Sequence, residues 1–352
     1  MKILYLLRYY PTLTESFIYE EIRSLQKYQG ANIEVFALSK REDGHHQTRL
    51  PNVPVHYIPK SRWRRMLGAK TTGMHWLTQH QRPKDVCKIP WLLKRIESFD
   101  HIHVHFAGEA AEVAHALWID KRIPYSLHVH AVDLFCPRAS LPDLISGAKH
   151  VITISQYNRQ RLQHFGCDAK VVYSGIDVDF WTSKRPISKN QAIFVGRNRE
   201  KKGLSQLIEV WKTISQEYIL HVVSDVTGTA ENIRFHGLCS PERVRSLIDK
   251  SRFLVMPSRV APNGDMDGIP VVLLEALAMN RAVITTAVSG IPELISAREG
   301  WLISPDRPKQ LRHAIVEAFQ EERGLKNRET LLAKNLSNRD QSAQIWAFFN
   351  KV

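Results

Sequence analysis

Asp267 and Glu275 flank the start of an apolar helix that reads Gly268-Ile269-Pro270-Val271-Val272-Leu273-Leu274-Glu275-Ala276-Leu277-Ala278. Pro270 is expected at its first position, where a fixed φ suits the helix and a missing N–H costs nothing. Ile269 offers no side-chain oxygen to cap the amides of Val271 and Val272. Those amides and the helix dipole favour negative charge, so this start, entered through Gly268, reads as an anion site. Glu275, set among Val, Leu and Ala, needs hydrogen-bond donors, and a vicinal sugar diol supplies two. The same residues also fit a core helix capped by Asp267, with Glu275 paired to a buried Arg. Earlier in the chain, Gly196-Arg197 and Lys202-Gly203 offer a guanidinium and an ammonium that together match a pyrophosphate. A solvated basic loop is the alternative.

Histidines form the other group. His101, His103 and His105 share one face of a strand by period two, which raises a metal site. No carboxylate or Cys shares that spacing, and histidines at strand ends often bond backbone, so no metal is assigned. His105 and His130 are read instead as closing adjacent parallel strands and pointing into a cleft.

Such groups need loops at the carboxyl ends of parallel strands to hold them. Apolar runs at 2–7, 33–38, 53–58, 101–106, 125–129, 151–155 and 169–172 alternate with helical patterns. Thr14 is expected to cap the helix carrying Phe17, Ile18, Ile22 and Leu25. A polar, proline-containing linker at 180–190 precedes a second set of strands at 192–197, 218–223, 233–235, 253–255 and 282–285. A length of 352 residues with 43% hydrophobic and 24% charged content fits about two globular domains. No apolar run approaches the roughly 20 residues of a membrane span, and the N-terminal run is too short for a signal peptide. Cys87, Cys136, Cys167 and Cys239 are scattered, which points away from a zinc knuckle or disulfide framework and fits a reducing cytoplasm.

The net charge of +14 calls for an acidic partner: nucleic acid, anionic lipid or a phosphorylated substrate. Segment 60–95 holds ten Lys or Arg against Asp85 alone, with Trp63, Trp76 and Trp91 interspersed. Arg62-Trp63-Arg64-Arg65-Met66-Leu67 reads as a basic amphipathic turn suited to an anionic membrane surface. The alternative is a solvated basic face whose tryptophans plug the core. No nucleic-acid recognition motif of the usual kinds is present.

Asp267, seven residues, then Glu275 resembles the acid–seven–Glu motif of retaining glycosyltransferases of family 4, which have the GT-B fold. The surrounding run is similar to Glu-Gly-Ile-Pro-Val-x-Leu-x-Glu-Ala of that family's exopolysaccharide and colanic-acid-type enzymes, with Asp267 where Glu is usual. Thr14–Phe17, His130-x-x-Asp133, Gly175-Ile176-Asp177, the Arg197–Lys202 loop, His236-Gly237 and Ser258 follow in the family's order. The resemblance implies α/β architecture with two doubly wound Rossmann-like domains facing across a cleft: 1–183 on the acceptor side, 184–335 for the nucleotide sugar. Residues 336–352 would form a helix returning to the first domain.

It also implies retaining hexosyl transfer from a nucleotide-diphosphate sugar to a hydroxyl on a lipid-linked or growing polysaccharide glycan, without metal or cofactor. The enzyme would sit in the cytoplasm, peripheral at the inner membrane face. By this resemblance Arg197 and Lys202 hold the diphosphate and Asp267 with Gly268 and Ile269 the hexose, while His130 orients the sugar's far side. Glu275 takes the ribose diol. Ser16, Gly196, His236, Gly237, Pro270 and Val271 complete the donor site, and His105, Asp133 and Gly175 line the cleft. The competing readings are a non-catalytic basic module binding nucleic acid or anionic lipid, and a GT-B phosphorylase or epimerase.

Overall fold

The computed structural model describes residues 1–41, 48–58, 71–86, 88–183 and 187–350. By internal contacts these form two compact units, one of Met1–Ile154, Asn158–Tyr173 and Ser342–Val352, the other of Ser155–Tyr157 and Ser174–Gln341.

The first unit holds a seven-stranded parallel sheet: β1 (Lys2–Tyr9), β2 (Asn32–Ser39), β3 (Val55–Tyr57), β4 (His101–His105), β5 (Tyr125–Val129), β6 (His150–Thr153) and β7 (Lys170–Val171). Its order is β3-β2-β1-β4-β5-β6-β7. β1 is a continuous apolar run because parallel strands are covered on both faces. Leu4 and Leu6 pack with Phe36, Ile102 and Val104 on one face. Ile3, Tyr5 and Leu7 pack on the other with Ile18, Ile22 and Leu25 of helix Ser16–Gln29. The C-terminal helix Asn338–Phe349 seats Ile345 and Phe349 in that second layer.

The second unit is a six-stranded parallel sheet of β8 (Gln191–Val195), β9 (Ile219–Val223), β10 (Ile233–Phe235), β11 (Phe253–Met256), β12 (Ala282–Thr286) and β13 (Gly300–Ile303). Its order is β10-β9-β8-β11-β12-β13. Residues 174–183 and 336–341 pack with this unit. Among the described residues no helix is long and apolar enough to cross a membrane.

Several local expectations are corrected. The residue capping helix Ser16–Gln29 is Glu15, without a side-chain cap bond, so Thr14 does not serve there. Pro270 is the N-cap of helix Val271–Ala278, extended at ψ 124°, and not its first helical residue. Trp91 lies in the core against Phe36, as the alternative reading had it, while the partly buried Trp76 packs on the same core and its indole donates to Asp143 at 3.0 Å. Trp63 and the Arg62–Leu67 turn lie outside the described residues.

Candidate functional site

In an open α/β sheet, ligands bind beyond the carboxyl ends of the strands where the strand order reverses. In the second unit that reversal falls between β8 and β11. The loop after β8 carries Gly196 and the half-buried Arg197, then a 3₁₀ turn, Glu200–Lys202, closed by Gly203 at φ 68°. A β-carbon on Gly203 would lie 2.1 Å from the Pro257 carbonyl oxygen, so glycine alone lets this turn press on the end of β11. The Arg259 amide donates to the Lys201 carbonyl at 2.8 Å and fastens the same contact.

This packing sets the charges. Lys202 Nζ lies 2.8 Å from Asp267 Oδ2, and Lys201 Nζ lies 2.9 Å from Asp265 and 3.8 Å from Asp267. Ser258 Oγ is 3.4 Å from the same Asp267 oxygen. A β-carbon on Gly196 would stand 3.6 Å from Lys202 Cδ, so that glycine borders the lysine stem. Asp267 therefore pairs with lysine and does not cap the following helix. No side chain caps the start of helix Val271–Ala278, whose Leu273 amide reaches back to the Pro270 carbonyl at 3.0 Å. Gly268 and Ile269 lead into it, and Glu275 is half-buried one turn further on.

His236 and Gly237 follow β10 on the same edge, two strands from the reversal. His236 Nε2 contacts His221 Nδ1 at 2.9 Å, and Gly237, at φ 69°, borders open space. Gly175 lies elsewhere in this unit. Its amide donates to Gln341 Oε1 at 3.0 Å, and a β-carbon there would meet Ser337 and Asn338 within 3 Å. The close approach it allows is to its own chain.

The first unit reverses between β1 and β4, and a pocket of about 300 Å³ opens there. Arg8, Glu15, Arg41, Phe106, Asp133 and Arg138 are among its lining residues. Ser16 opens the helix beside it. Beneath lies a buried hub. His105 Nε2 is 3.0 Å from Glu21 Oε1, and its Nδ1 is 3.1 Å from His130 Nε2. His103 Nε2 stands 3.3 Å from Glu21 and His128 Nδ1 3.7 Å, while the Tyr5 hydroxyl donates to Glu21 at 2.8 Å.

Burial alone would raise the Glu21 carboxyl, but His105 and His103 outweigh it and hold it well below the usual range. Burial pushes His103, His128 and His130 down, favouring neutral imidazoles, and takes His101 to about 3.

His105 and His130 do close adjacent strands and touch; both are buried, and His105 is among the residues lining the pocket. The His130 ring packs 4.4 Å from Phe106 and 4.8 Å from His128. Asp133 accepts the backbone amide of His130 at 2.8 Å, not its imidazole, and burial raises its carboxyl to about 7. The residue that sequence reasoning missed is Glu21. Its signal was an acid on the apolar stripe of Ile18, Ile22 and Leu25, where only a partnered carboxylate survives burial. Ser16, His105, His130 and Asp133 belong to the first unit. Gly175, Gly196, Arg197, Lys202, His236, Gly237, Asp267 to Val271 and Glu275 belong to the second.

Two doubly wound parallel units, each with its ligand edge at a strand reversal, define the GT-B class. HepE of Anabaena, solved with UDP and glucose, shares this fold with a TM-score of 0.76 over 100% of both chains at 18% identity. Residues 14–180 match the family described as Glycosyltransferase Family 4, and residues 189–321 match Glycosyl transferases group 1. The chain belongs to the family 4, group 1 glycosyltransferases that these two matches describe.

Among relatives, the amylovoran biosynthesis glycosyltransferase AmsK of Erwinia amylovora is 29% identical over 231 residues, 59% of this chain and 54% of that protein. WcaL of Escherichia coli (strain K12), named for a glycosyltransferase of colanic acid biosynthesis, is 29% identical over 192 residues, 48% of this chain and 47% of its own. The chain thus spans about half the length of these curated relatives.

Proposed function

We propose that the protein is a retaining glycosyltransferase that moves a hexosyl unit from a nucleotide-diphosphate sugar to a hydroxyl of a lipid-linked or growing polysaccharide glycan. The observation that carries this reading is the Lys202–Asp267 pair at 2.8 Å, set at the β8/β11 reversal beside the uncapped helix Val271–Ala278. A diphosphate entering there would exchange Asp267 for phosphate at Lys202 and free the carboxylate for the sugar hydroxyls. The leaving group gains charge on its phosphates, so the chief work is electrostatic. Arg197, Lys202 and the helix amides supply it, with no metal required by the reading. Glu275 takes the ribose diol, and Gly268 and Ile269 bring backbone to the hexose.

In the transfer, the bond from the anomeric carbon to the phosphate oxygen breaks as the acceptor oxygen attacks from the same face. The acceptor proton passes to a donor phosphate oxygen, and no protein base is assigned. The His130 imidazole is held by His105, so its part is to orient the start of the short helix Ala131–Phe135, where His130 is the N-cap. The arginine-lined pocket of the first unit suits an acceptor carrying phosphate, and the basic 60–95 segment suits an anionic membrane surface.

A thermal-shift screen against UDP, GDP, ADP and their sugars tests donor binding through ligand linkage. A nucleoside diphosphate or its sugar should raise the melting temperature by several degrees, and a protein that responds to none of them does not use such a donor. Proton NMR of the product then reads the anomeric configuration, and inversion would remove the retaining assignment.

A further inference from the structure

We propose that Glu21, His103, His105 and His128 form a closed site for a structural zinc ion in the N-terminal unit. His103 and His105 are two apart on β4 and share a face, and His128 is the register partner of His105 on β5. Glu21 comes down from the core side of helix Ser16–Gln29. One ligand atom from each of the four lies within 4.8 Å of all the others. Tetrahedral zinc with nitrogen and oxygen ligands at about 2.0–2.1 Å sets neighbouring ligand atoms about 3.3 Å apart. Glu21 Oε1 lies 3.0 Å from His105 and 3.3 Å from His103, and Glu21 Oε2 lies 3.7 Å from His128, so a small turn of the carboxylate and rings would close the shell.

Hydrogen bonding within the cluster leaves it incomplete. Both ring nitrogens of His128 and Nε2 of His103 are buried without a hydrogen-bond partner. The His103 Nε2 contact with Glu21 lacks the alignment of a bond. Buried polar atoms are nearly always satisfied, and a cation would satisfy His103 Nε2 and one His128 nitrogen together. Imidazole and carboxylate are the donors zinc takes.

The surrounding groups orient the ligands as outer-shell partners do. Ser126 Oγ meets His103 Nδ1 at 2.5 Å, His130 Nε2 meets His105 Nδ1 at 3.1 Å, and the Tyr5 hydroxyl holds Glu21. Exposure of 0–3% for all four residues marks a closed, structural site and not a catalytic one. The ion would tie the first helix to β4 and β5 beneath the 300 Å³ pocket that His105 helps line. The inference does not depend on the transfer reaction proposed above.

Metal analysis of the intact chain, grown with zinc and passed through gel filtration, tests it. The wild type should retain about one zinc per chain. Cobalt exchanged into the site should give visible tetrahedral absorption. Chelation should lower the melting temperature by several degrees, and added zinc should restore it. Glu21→Gln and His128→Gln should lose most of the metal, while Tyr5→Phe keeps it but yields it to chelator several-fold faster. His313→Gln, which removes an exposed surface histidine, should keep a full complement. Because the wild type decides the question, a variant that does not fold leaves it answerable. A wild type with no more than trace zinc, no cobalt absorption and a melting temperature indifferent to chelator and zinc would overturn the proposal. The cluster would then be held by shared protons alone.

Discussion

Both sheets reverse their strand order once, between β1 and β4 in one unit and between β8 and β11 in the other, yet charge is handled differently at the two places. At β8/β11 the lysines keep about a fifth of their side-chain surface exposed and share two aspartates between them, an arrangement whose partners can be exchanged. At β1/β4 the Glu21 carboxylate is 1% exposed under a roof of imidazoles, and Tyr5, His103 and His105 converge on one of its oxygens. The Lys202–Asp267 pair is largely buried, but its lysine keeps an open side through which a polyanion can replace the carboxylate. A buried, multiply bonded carboxylate is costly to disturb and keeps its surroundings in one geometry. The same topology thus supplies an ion pair open to exchange at one edge and a locked carboxylate at the other.

Glu21→Ala should separate the two most strongly. It strips the central acceptor from the histidines and should destabilise the first unit by about 3–5 kcal/mol in chemical denaturation. Lys202→Ala should do the reverse. Turnover should fall about 10²–10³-fold, as on removal of a transition-state charge partner, while the denaturation midpoint moves less than for Glu21→Ala because Lys201, 3.8 Å away, still faces Asp267. Retained activity would mean the phosphate is held elsewhere.

Gly203→Ala sharpens the comparison. A β-carbon 2.1 Å from the Pro257 oxygen, on a residue at φ 68°, should cost about 1–3 kcal/mol and weaken nucleotide binding by pushing the Lys202 turn off β11. A neutral outcome would mean the turn does not need that contact.

The smallest effect is a pH dependence. His101, depressed to about 3 by burial and its neighbour His103, gives stability that is full above about pH 6.5. That contribution is lost as pH falls toward 3, at up to about 1.4 kcal/mol per pH unit. Asp133, raised to about 7, acts oppositely: its contribution is full below its unfolded value near 3.8 and is lost as pH rises through about 7. Between about pH 3.8 and 6.5 the two slopes oppose and nearly cancel, so Asp133→Asn should lose melting temperature on acidification more steeply than the wild type. An unchanged slope would remove Asp133 from this balance.

Much of the β8/β11 edge was legible because its chemistry is local. Glycine, arginine, lysine and proline sit at fixed places between a strand and a helix, and backbone geometry alone sets their task. Even there, the Lys202–Asp267 pair joins residues 65 apart, and only the strand order brings them together. The β1/β4 hub was not legible for the same reason. His101, His103 and His105 were visible as a set, but the missing carboxylate lies on a helix about 80 residues earlier in the chain. Gly175 misled in the opposite sense, since a glycine that permits close approach does not say what approaches. Trp91 likewise looked interfacial beside basic residues, while its core partner Phe36 was distant in sequence.

Isothermal titration of nucleoside diphosphates into the wild-type and Lys202→Ala proteins weighs the second unit's role most directly. One of UDP, GDP or ADP should bind the wild type, with at least tenfold weaker binding to the variant and a stoichiometry near one. Equal affinity in both proteins, or no heat with any of the three, would contradict a diphosphate site at β8/β11.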